Sequence, residues 1–279
     1  MKAKIEFRIF EDEAQRYLLN EEGVCIDNKF RKIIADIDDP IVLKVGRIHQ
    51  ICRKKGKTFF YYWNIKRFYS KEELRNAQLF RLLFTAYFET VGEMCGTVYD
   101  ESASCAHCGA YRVQKSDLIL NVYKIPKKDI ACSLGNEIVF SEKLKEIICL
   151  YTLSGVDLKP VRHWKKTSTA LPSYYQAIFV EPPVEVIPPA RAGDNPFDDG
   201  SDTEFKCPLG HNLGRDFLTE LYISKESWNG SDFLFTKQLV GYKRGVFRPF
   251  SEILISNRVY NLFTKNRISG FKVEIVHLV

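Results

Sequence analysis

No window of this 279-residue chain approaches eighteen uninterrupted apolar residues, so a membrane-spanning helix is not expected. The opening MKAKIEFRIF has two lysines but no apolar run long enough for a secretory signal. Glycine loops of P-loop or Rossmann form are missing. So are HExxH and the GxSxG elbow. These absences remove the common phosphate-binding, zinc-protease and serine-hydrolase chemistries, and no enzyme is expected. Charge of one sign is also in short supply. The net +6 permits an acidic partner without demanding one. With no secretion signal, the eight cysteines are expected to sit in a reducing cytoplasm, free or bound to metal.

What is present is ordinary in bulk and particular in detail. Hydrophobic residues make up 45% and charged residues 27%, as in a globular chain long enough to bury a core without disulfides. The 13% of aromatics favours sheet. Over residues 1–92 we expect an N-terminal α+β module. KIEFRIF alternates like a strand, and QICRKKGKTFFYYW reads as a basic turn before an aromatic strand. Ser70 with Glu73 forms a capping box that predicts a helix from Ser70 to about Gln78. LFRLLFTAYF places Phe80, Leu82, Phe84, Ala86 and Phe88 at period two and predicts a buried strand, with a helix as the alternative.

An internal repeat follows. IVFSEKLKEIICLYTLSGVDLKPV, from Ile138, aligns without a gap on ILISNRVYNLFTKNRISGFKVEIV, from Ile253. Ser141 matches Ser256, Ser154-Gly155 matches Ser269-Gly270, and Val161 matches Val276. In each copy a short apolar strand ends at a serine suited to cap a helix. Leu144, Ile147, Ile148 and Tyr151 form a helical apolar face, and the glycine is placed to end the helix. The expectation is a strand–helix–strand unit used twice, over 93–180 and 207–279. The prolines and aspartates of 181–206 predict a linker or solvated surface loop between them. Asp198, Asp199 and Asp202 lack the spacing of an EF-hand.

Cys105-Ala-His-Cys108-Gly109 offers two thiolates that can share one tetrahedral zinc. A thioredoxin-like dithiol and a pair of metal-free structural thiols are the competing readings. Upstream of the second copy stands Cys207-Pro208-Leu209-Gly210-His211. Aligning Cys207 with Cys105 puts Gly210 at the place of Cys108 and His211 at the place of Gly109. The expected structural Zn2+ site is therefore Cys105, Cys108, Cys207 and His211, with His107 and Cys95 in reserve. Closing the loop of roughly a hundred residues between the pairs costs about 4 kcal/mol of chain entropy. Structural zinc supplies about 10–16 kcal/mol in small domains, so the metal should prevail. Cys25, Cys52, Cys132 and Cys149 lie in apolar contexts and are expected in the core. His163 and His277 read as strand-end packing or surface histidines.

The segments GEMCGTVYDESASCAHCGAYRVQ, VFSEKL…LSGVDLKPVRH, CPLGH…LISNRVY and ISGFKVEIVHL resemble the bacterial double-CXXCG motif proteins, over roughly residues 80–279. Only the first motif is intact. The resemblance implies metal ligation by Cys105, Cys108 and Cys207. It also implies an immunity protein, since some members look like proteins that bind and neutralise a cognate polymorphic toxin. The leading expectation is thus a non-catalytic, cytoplasmic immunity-type protein whose partner is a toxin protein, with no membrane role. The alternative is a zinc-dependent nucleic-acid-binding protein. It rests on Arg53, Lys54, Lys55, Lys57, Lys66 and Arg67 interleaved with Phe59, Tyr61, Tyr62 and Trp63. The expected fold is α+β: an N-terminal sheet-rich module plus two strand–helix–strand repeats joined by the zinc.

Overall fold

The computed structural model describes residues 2–165, 173–200 and 203–279. It is a mixed α+β protein in which strand outweighs helix, 36% to 20%. The chain divides into two compact units, one of residues 1–76 with 195–197, the other of 77–194 with 198–279.

The first unit runs β1 (Lys2–Phe10), α1 (Glu11–Tyr17), β2 (Val24–Ile26), β3 (Phe30–Asp36), α2 (Pro40–Arg53), β4 (Tyr62–Phe68) and α3 (Lys71–Asn76). Its sheet has the order β2-β3-β1-β4 with every neighbouring pair antiparallel, a split β-α-β arrangement. Alternation along β1 and β3 sends Ile5, Phe7, Ile9, Ile33 and Ala35 to one face. There they pack on Ala14 of α1 and on Val42, Val45, Ile48 and Cys52 of α2. Helix α2 starts where Asp39 accepts from the Ile41 N–H at 2.9 Å, with Pro40 in the first turn. The sequence places Gln50–Arg53 at the start of a basic turn. Those residues are the last turn of α2, because Ile48 and Cys52 complete a helical stripe that begins before them. The capping box forms as expected: the Glu73 N–H donates to Ser70 Oγ at 3.1 Å, and the Ser70 N–H donates to Glu73 at 2.7 Å.

In the second unit the elements that frame the site are β5 (Leu79–Phe84), β6 (Tyr87–Phe88), β7 (Ile130–Ser133), β8 (Ile138–Ser141), α4 (Glu142–Leu150), β9 (Val156–Pro160), β10 (Tyr174–Phe179), β11 (Leu221–Ile223), β12 (Phe233–Val240), β13 (Phe250–Ser256), α5 (Asn257–Lys265) and β14 (Phe271–Leu278). They form two five-stranded sheets, β9-β10-β8-β7-β6 and β11-β14-β5-β13-β12. The run expected as one strand from Leu79 breaks at Thr85–Ala86 into β5 and β6, which belong to different sheets. Leu79, Phe80, Arg81 and Leu82 are all buried, so β5 is covered on both faces rather than one.

Helices α4 and α5 are built alike. Ser141 Oγ accepts from the Leu144 N–H and Ser256 Oγ from the Val259 N–H, at 3.3 and 3.2 Å. Leu144, Ile147 and Ile148 are buried in one helix, Val259 and Phe263 in the other. The helices end at Leu150 and Lys265, where Thr152 and Arg267 turn the chain at φ +49° and +51°. Gly155 and Gly270, expected to end them, take positive φ further on, +89° and +100°. Each lies against a backbone carbonyl of the other segment. A Cβ at Gly155 would press into Phe233 O, and one at Gly270 into Ile130 O.

Carboxylates tie the two segments together in the same way. Asp129 accepts from the Ser269 N–H and hydroxyl, both at 2.8 Å, and from the Ser141 hydroxyl at 2.9 Å. Asp232 accepts from the Ser154 N–H at 3.2 Å and the Ser256 hydroxyl at 2.8 Å. The Ile130 N–H donates to Ser269 O and the Phe233 N–H to Ser154 O, each at 3.0 Å.

The segment expected as a solvated loop is partly built in. Val184, Val186 and Ala192 are buried in the second unit's core, and the Phe197 ring stacks on Phe7 of the first unit's core at 5.7 Å. Asp198 is buried and accepts from the Asp194 N–H at 2.8 Å, while Asp199 is exposed. Asp202 lies outside the described residues. Among the described residues no helix is long and apolar enough to cross a membrane.

Candidate metal centre

Two loops of the second unit bring four donor side chains together. In the first, the Cys105 N–H donates to Ala110 O at 2.9 Å and the Gly109 N–H to Cys105 O at 2.7 Å. In the second, the Cys207 N–H donates to Asn212 O at 2.8 Å and the Gly210 N–H to Cys207 O at 2.9 Å. Both turns need a left-handed residue, supplied by Gly109 at φ +69° and Gly210 at φ +77°. Gly109 is also tightly covered, since a Cβ there would sit 2.7 Å from Lys243 Cδ.

The donor atoms of Cys105, Cys108, Cys207 and His211 all lie within 4.8 Å of one another. Cys105 Sγ is 3.8 Å from Cys207 Sγ. His211 Nδ1 is 3.8 Å from Cys207 Sγ and 3.9 Å from Cys108 Sγ. Two thiolates bound at about 2.3 Å to one tetrahedral ion stand about 3.8 Å apart. The spacing therefore fits a single ion, and the four residues could hold one. The three cysteines are buried and cluster with Ala110 and Leu239. His211 is half-buried, its ring edge-on to Tyr111 at 5.0 Å.

The local field already separates the thiols. The Cys108 backbone N–H leads in holding Cys105 down at about 6 against the effect of burial, with the His107 N–H and the His211 ring adding to it. Burial pushes Cys108 up to about 12, and its proximity to Cys105 and Cys207 adds to that. A metal ion binding here displaces the Cys108 proton, because the ligand is the thiolate. The turn leads into the strand Val113–Gln114, so the first loop lacks the helix N-terminus on which a thioredoxin-like dithiol depends.

Of the reserve ligands, His107 is exposed and Cys95 is outside the cluster. Cys52 and Cys132 are buried, but Cys25 and Cys149 are exposed, contrary to expectation. Cys25 sits on the edge strand β2, whose neighbour Val24 is itself exposed, and Cys149 follows the buried pair Ile147–Ile148 onto the outer side of α4. His163 Nδ1 accepts from the Val122 N–H at 3.3 Å, and His277 Nε2 meets Glu220 at 2.8 Å.

The sequence reading missed Asn212. Its side chain is buried and donates to Phe205 O at 2.7 Å and Gly241 O at 2.8 Å, fixing the loop that carries His211. It also missed Arg81, buried with Glu252 at 2.5 Å, Asp216 at 2.9 Å and Glu274 at 3.4 Å. A cavity of about 540 Å³ in this unit is walled by Phe84, Tyr87, Phe179, Phe235 and Phe250. Its buried carboxylate, Glu137, accepts from the Gly92 N–H at 3.0 Å and the hydroxyls of Tyr99 and Ser133, which commits it to holding the fold.

No protein-family model matches the chain, and no curated protein matches it.

Proposed function

We propose that this is a non-catalytic, immunity-type protein that binds and occludes a cognate bacterial toxin, and that Cys105, Cys108, Cys207 and His211 hold one structural zinc ion. The observation that carries the metal part is the convergence of two loops about a hundred residues apart on one cluster with tetrahedral spacing. Three thiols with one imidazole suit zinc, and four protein ligands leave no open position for a reactive water. The toxin-binding part rests on the resemblance of residues 80–279 to the double-CXXCG proteins.

The segments around α4 and α5 are, on this proposal, copies of one ancestral unit. Their support is the reciprocal set of contacts: Asp129 with Ser141 and Ser269, Asp232 with Ser256 and Ser154.

Co-expression tests the function. Cells making the toxin encoded beside this gene should survive when this protein is present, and the two should co-purify. Survival without the protein, or its failure to protect or co-purify, removes the immunity assignment. Anaerobically purified protein should carry one zinc per chain by elemental analysis, and stoichiometric iron or no metal would refute the zinc assignment separately.

A further inference from the structure

The sheet of the first unit has one face covered by its helices and one face open. Strand alternation puts Lys2, Lys4, Glu6, Arg8 and Phe10 of β1 on the open side. The register sets Phe10 opposite Phe30, and Arg8 between Lys32 and Tyr62. It sets Lys4 between Asp36 and Lys66. Phe10 and Phe30 therefore stand side by side on the two central strands.

At this end of the sheet the aromatic rings form an exposed cluster. Phe10 to Phe30 is 5.3 Å between centroids, and Tyr61 is 5.0 Å from each. Phe10 is 50% exposed and Tyr61 45%. The Arg8 guanidinium lies 4.6 Å over Tyr62. Phe59 and Trp63 of the same stretch instead pack into the core, so the rings available at the surface are fewer than the sequence pattern implied.

The charge on this face is one-sided. Glu6 is nearly buried and is shared by Arg8 at 2.9 Å, Lys32 at 3.8 Å and Lys66 at 3.8 Å. Lys2 and Lys4 add two more exposed cations, and Asp36 is the other carboxylate of the face. The turn between α2 and β4 carries Lys54, Lys55 and Lys57, all exposed, shortly ahead in the chain of Tyr61, whose N–H donates to Arg8 O at 3.1 Å. Residues 1–76 contain 17 Lys and Arg against 12 Asp and Glu, so they carry +5 of the chain's +6.

We propose that this open sheet face binds single-stranded nucleic acid. Bases stack on Phe10, Phe30, Tyr61 and Tyr62, and phosphates lie along Lys4, Lys32, Lys66 and the Lys54–Lys57 turn. Exposed rings on a four-stranded sheet can take only unstacked bases, which a duplex does not offer. Lysine is depleted in the cores of protein–protein interfaces, and here Arg8 and Lys32 stand next to the rings with Lys4 and Lys66 further along the same face, so the charge complementarity favours a phosphate backbone over a protein surface. The surface contains no metal ligand and stands independently of the toxin-binding proposal.

The test uses the full-length, metal-loaded protein and the fluorescence anisotropy of labelled oligo(U), oligo(dT) and a duplex, each about twelve nucleotides long. Both single strands should bind more tightly than the duplex, with log K falling by about 0.7 per log unit of salt for each phosphate contact. F10A/Y62A should weaken binding about tenfold or more while leaving the salt slope intact. Replacing Lys54, Lys55 and Lys57 with Ala should flatten the slope instead. All these positions are exposed, and an unchanged melting temperature and zinc content would show that the fold survives. Equal affinity for the duplex, no binding at 50 mM salt, or wild-type affinity of F10A/Y62A would overturn the proposal. So would loss of toxin binding on F10A/Y62A in a protein that ignores the oligonucleotides, which would assign the face to a protein.

Discussion

The loops at Cys105 and Cys207 close with the same hydrogen bond, from the first cysteine's N–H to the carbonyl five residues on, yet carry different second donors. The first loop places a thiol three residues after its cysteine, and the second an imidazole four residues after. The left-handed glycine moves with the change. It follows the second donor in the first loop, as Gly109, and precedes it in the second, as Gly210. A longer side chain one position later reaches the same point, with Nδ1 at 3.8 Å from Cys207 Sγ. A motif that looks damaged in sequence can thus stay intact as a set of donor atoms, because the constraint lies on where the donors end and not on their spacing along the chain.

Removing the metal should produce the largest effect. On the proposal above, Cys207→Ser or chelation forfeits the zinc contribution, about 10–16 kcal/mol in small domains, and recovers only about 4 kcal/mol of chain entropy lost in closing the loop. With a net loss of at least about 6 kcal/mol, and roughly 2–4 °C per kcal/mol for a unit of this size, the melting temperature should fall by about 12 °C or more. Calorimetry with and without a strong chelator measures it, and an unchanged melt would show that the second unit holds without metal. Loop exchange sharpens the same comparison. His211→Ala should lose the ion, whereas the double change Gly210→Cys with His211→Gly rewrites the second loop in the pattern of the first and should retain it. Elemental analysis of the two variants distinguishes them.

How much of this could be read from the chain follows from how local each feature is. Ser141 and Ser256 act within one turn of the residues they cap, and their caps are where local chemistry places them. Gly155 and Gly270 do not end the helices, because Thr152 and Arg267 take the left-handed backbone there first. The four donors were recoverable because aligning the two segments carried the cysteine pattern across. The partner of β5 was not. Leu79–Phe84 inserts between β13 and β14, some 170 residues further along, and nothing in LFRLLF names that neighbour. Arg81 in the same strand falls between the period-two apolar positions Phe80 and Leu82. It is buried because Glu252 and Glu274 arrive on the flanking strands to meet it. Cys25 and Cys149 show the opposite error. Apolar neighbours in sequence say nothing about burial when the strand is an edge or the helix face turns outward.

The segments around α4 and α5 can next be broken one at a time. Gly155→Ala and Gly270→Ala each place a methyl group on a partner carbonyl and force an alanine to positive φ. Each should cost more than about 3 kcal/mol, and the two should cost about the same. A large inequality in denaturant titrations would mean that the two contacts are not equivalent.

The carboxylates add a pH dependence. Burial opposes the charge on Asp129, but hydrogen bonds from the Ser269 side chain and backbone and from Ser141 outweigh it and hold the carboxyl below its ordinary value. A depressed carboxyl contributes stability above its unfolded value of about 3.9 and loses that contribution as pH falls through the folded one. Asp129→Asn should therefore destabilise at pH 7 and shrink the loss of stability seen on acidification below about pH 4. An acid limb identical to that of the native protein would rule this out.

The smallest effect belongs to a pair of cations. Lys143 Nζ donates to Asn266 O, at the C-terminal end of α5, at 2.9 Å, and Arg258 donates to Tyr151 O, at the C-terminal end of α4, at 2.6 Å. Each helix thus sends a cation from its first turn to the carbonyl end of the other, where a positive charge opposes the helix dipole. Both side chains are substantially exposed, which limits Lys143→Ala to about 0.5 kcal/mol, and added salt should erode even that. Arg258 also meets Asp232 at 3.0 Å, and that carboxylate is nearly buried. Arg258→Ala should then cost about 1 kcal/mol more than Lys143→Ala, because it leaves Asp232 with one donor fewer. Equal losses at low and high salt would assign both residues to packing and leave the dipole without a part in joining the two segments.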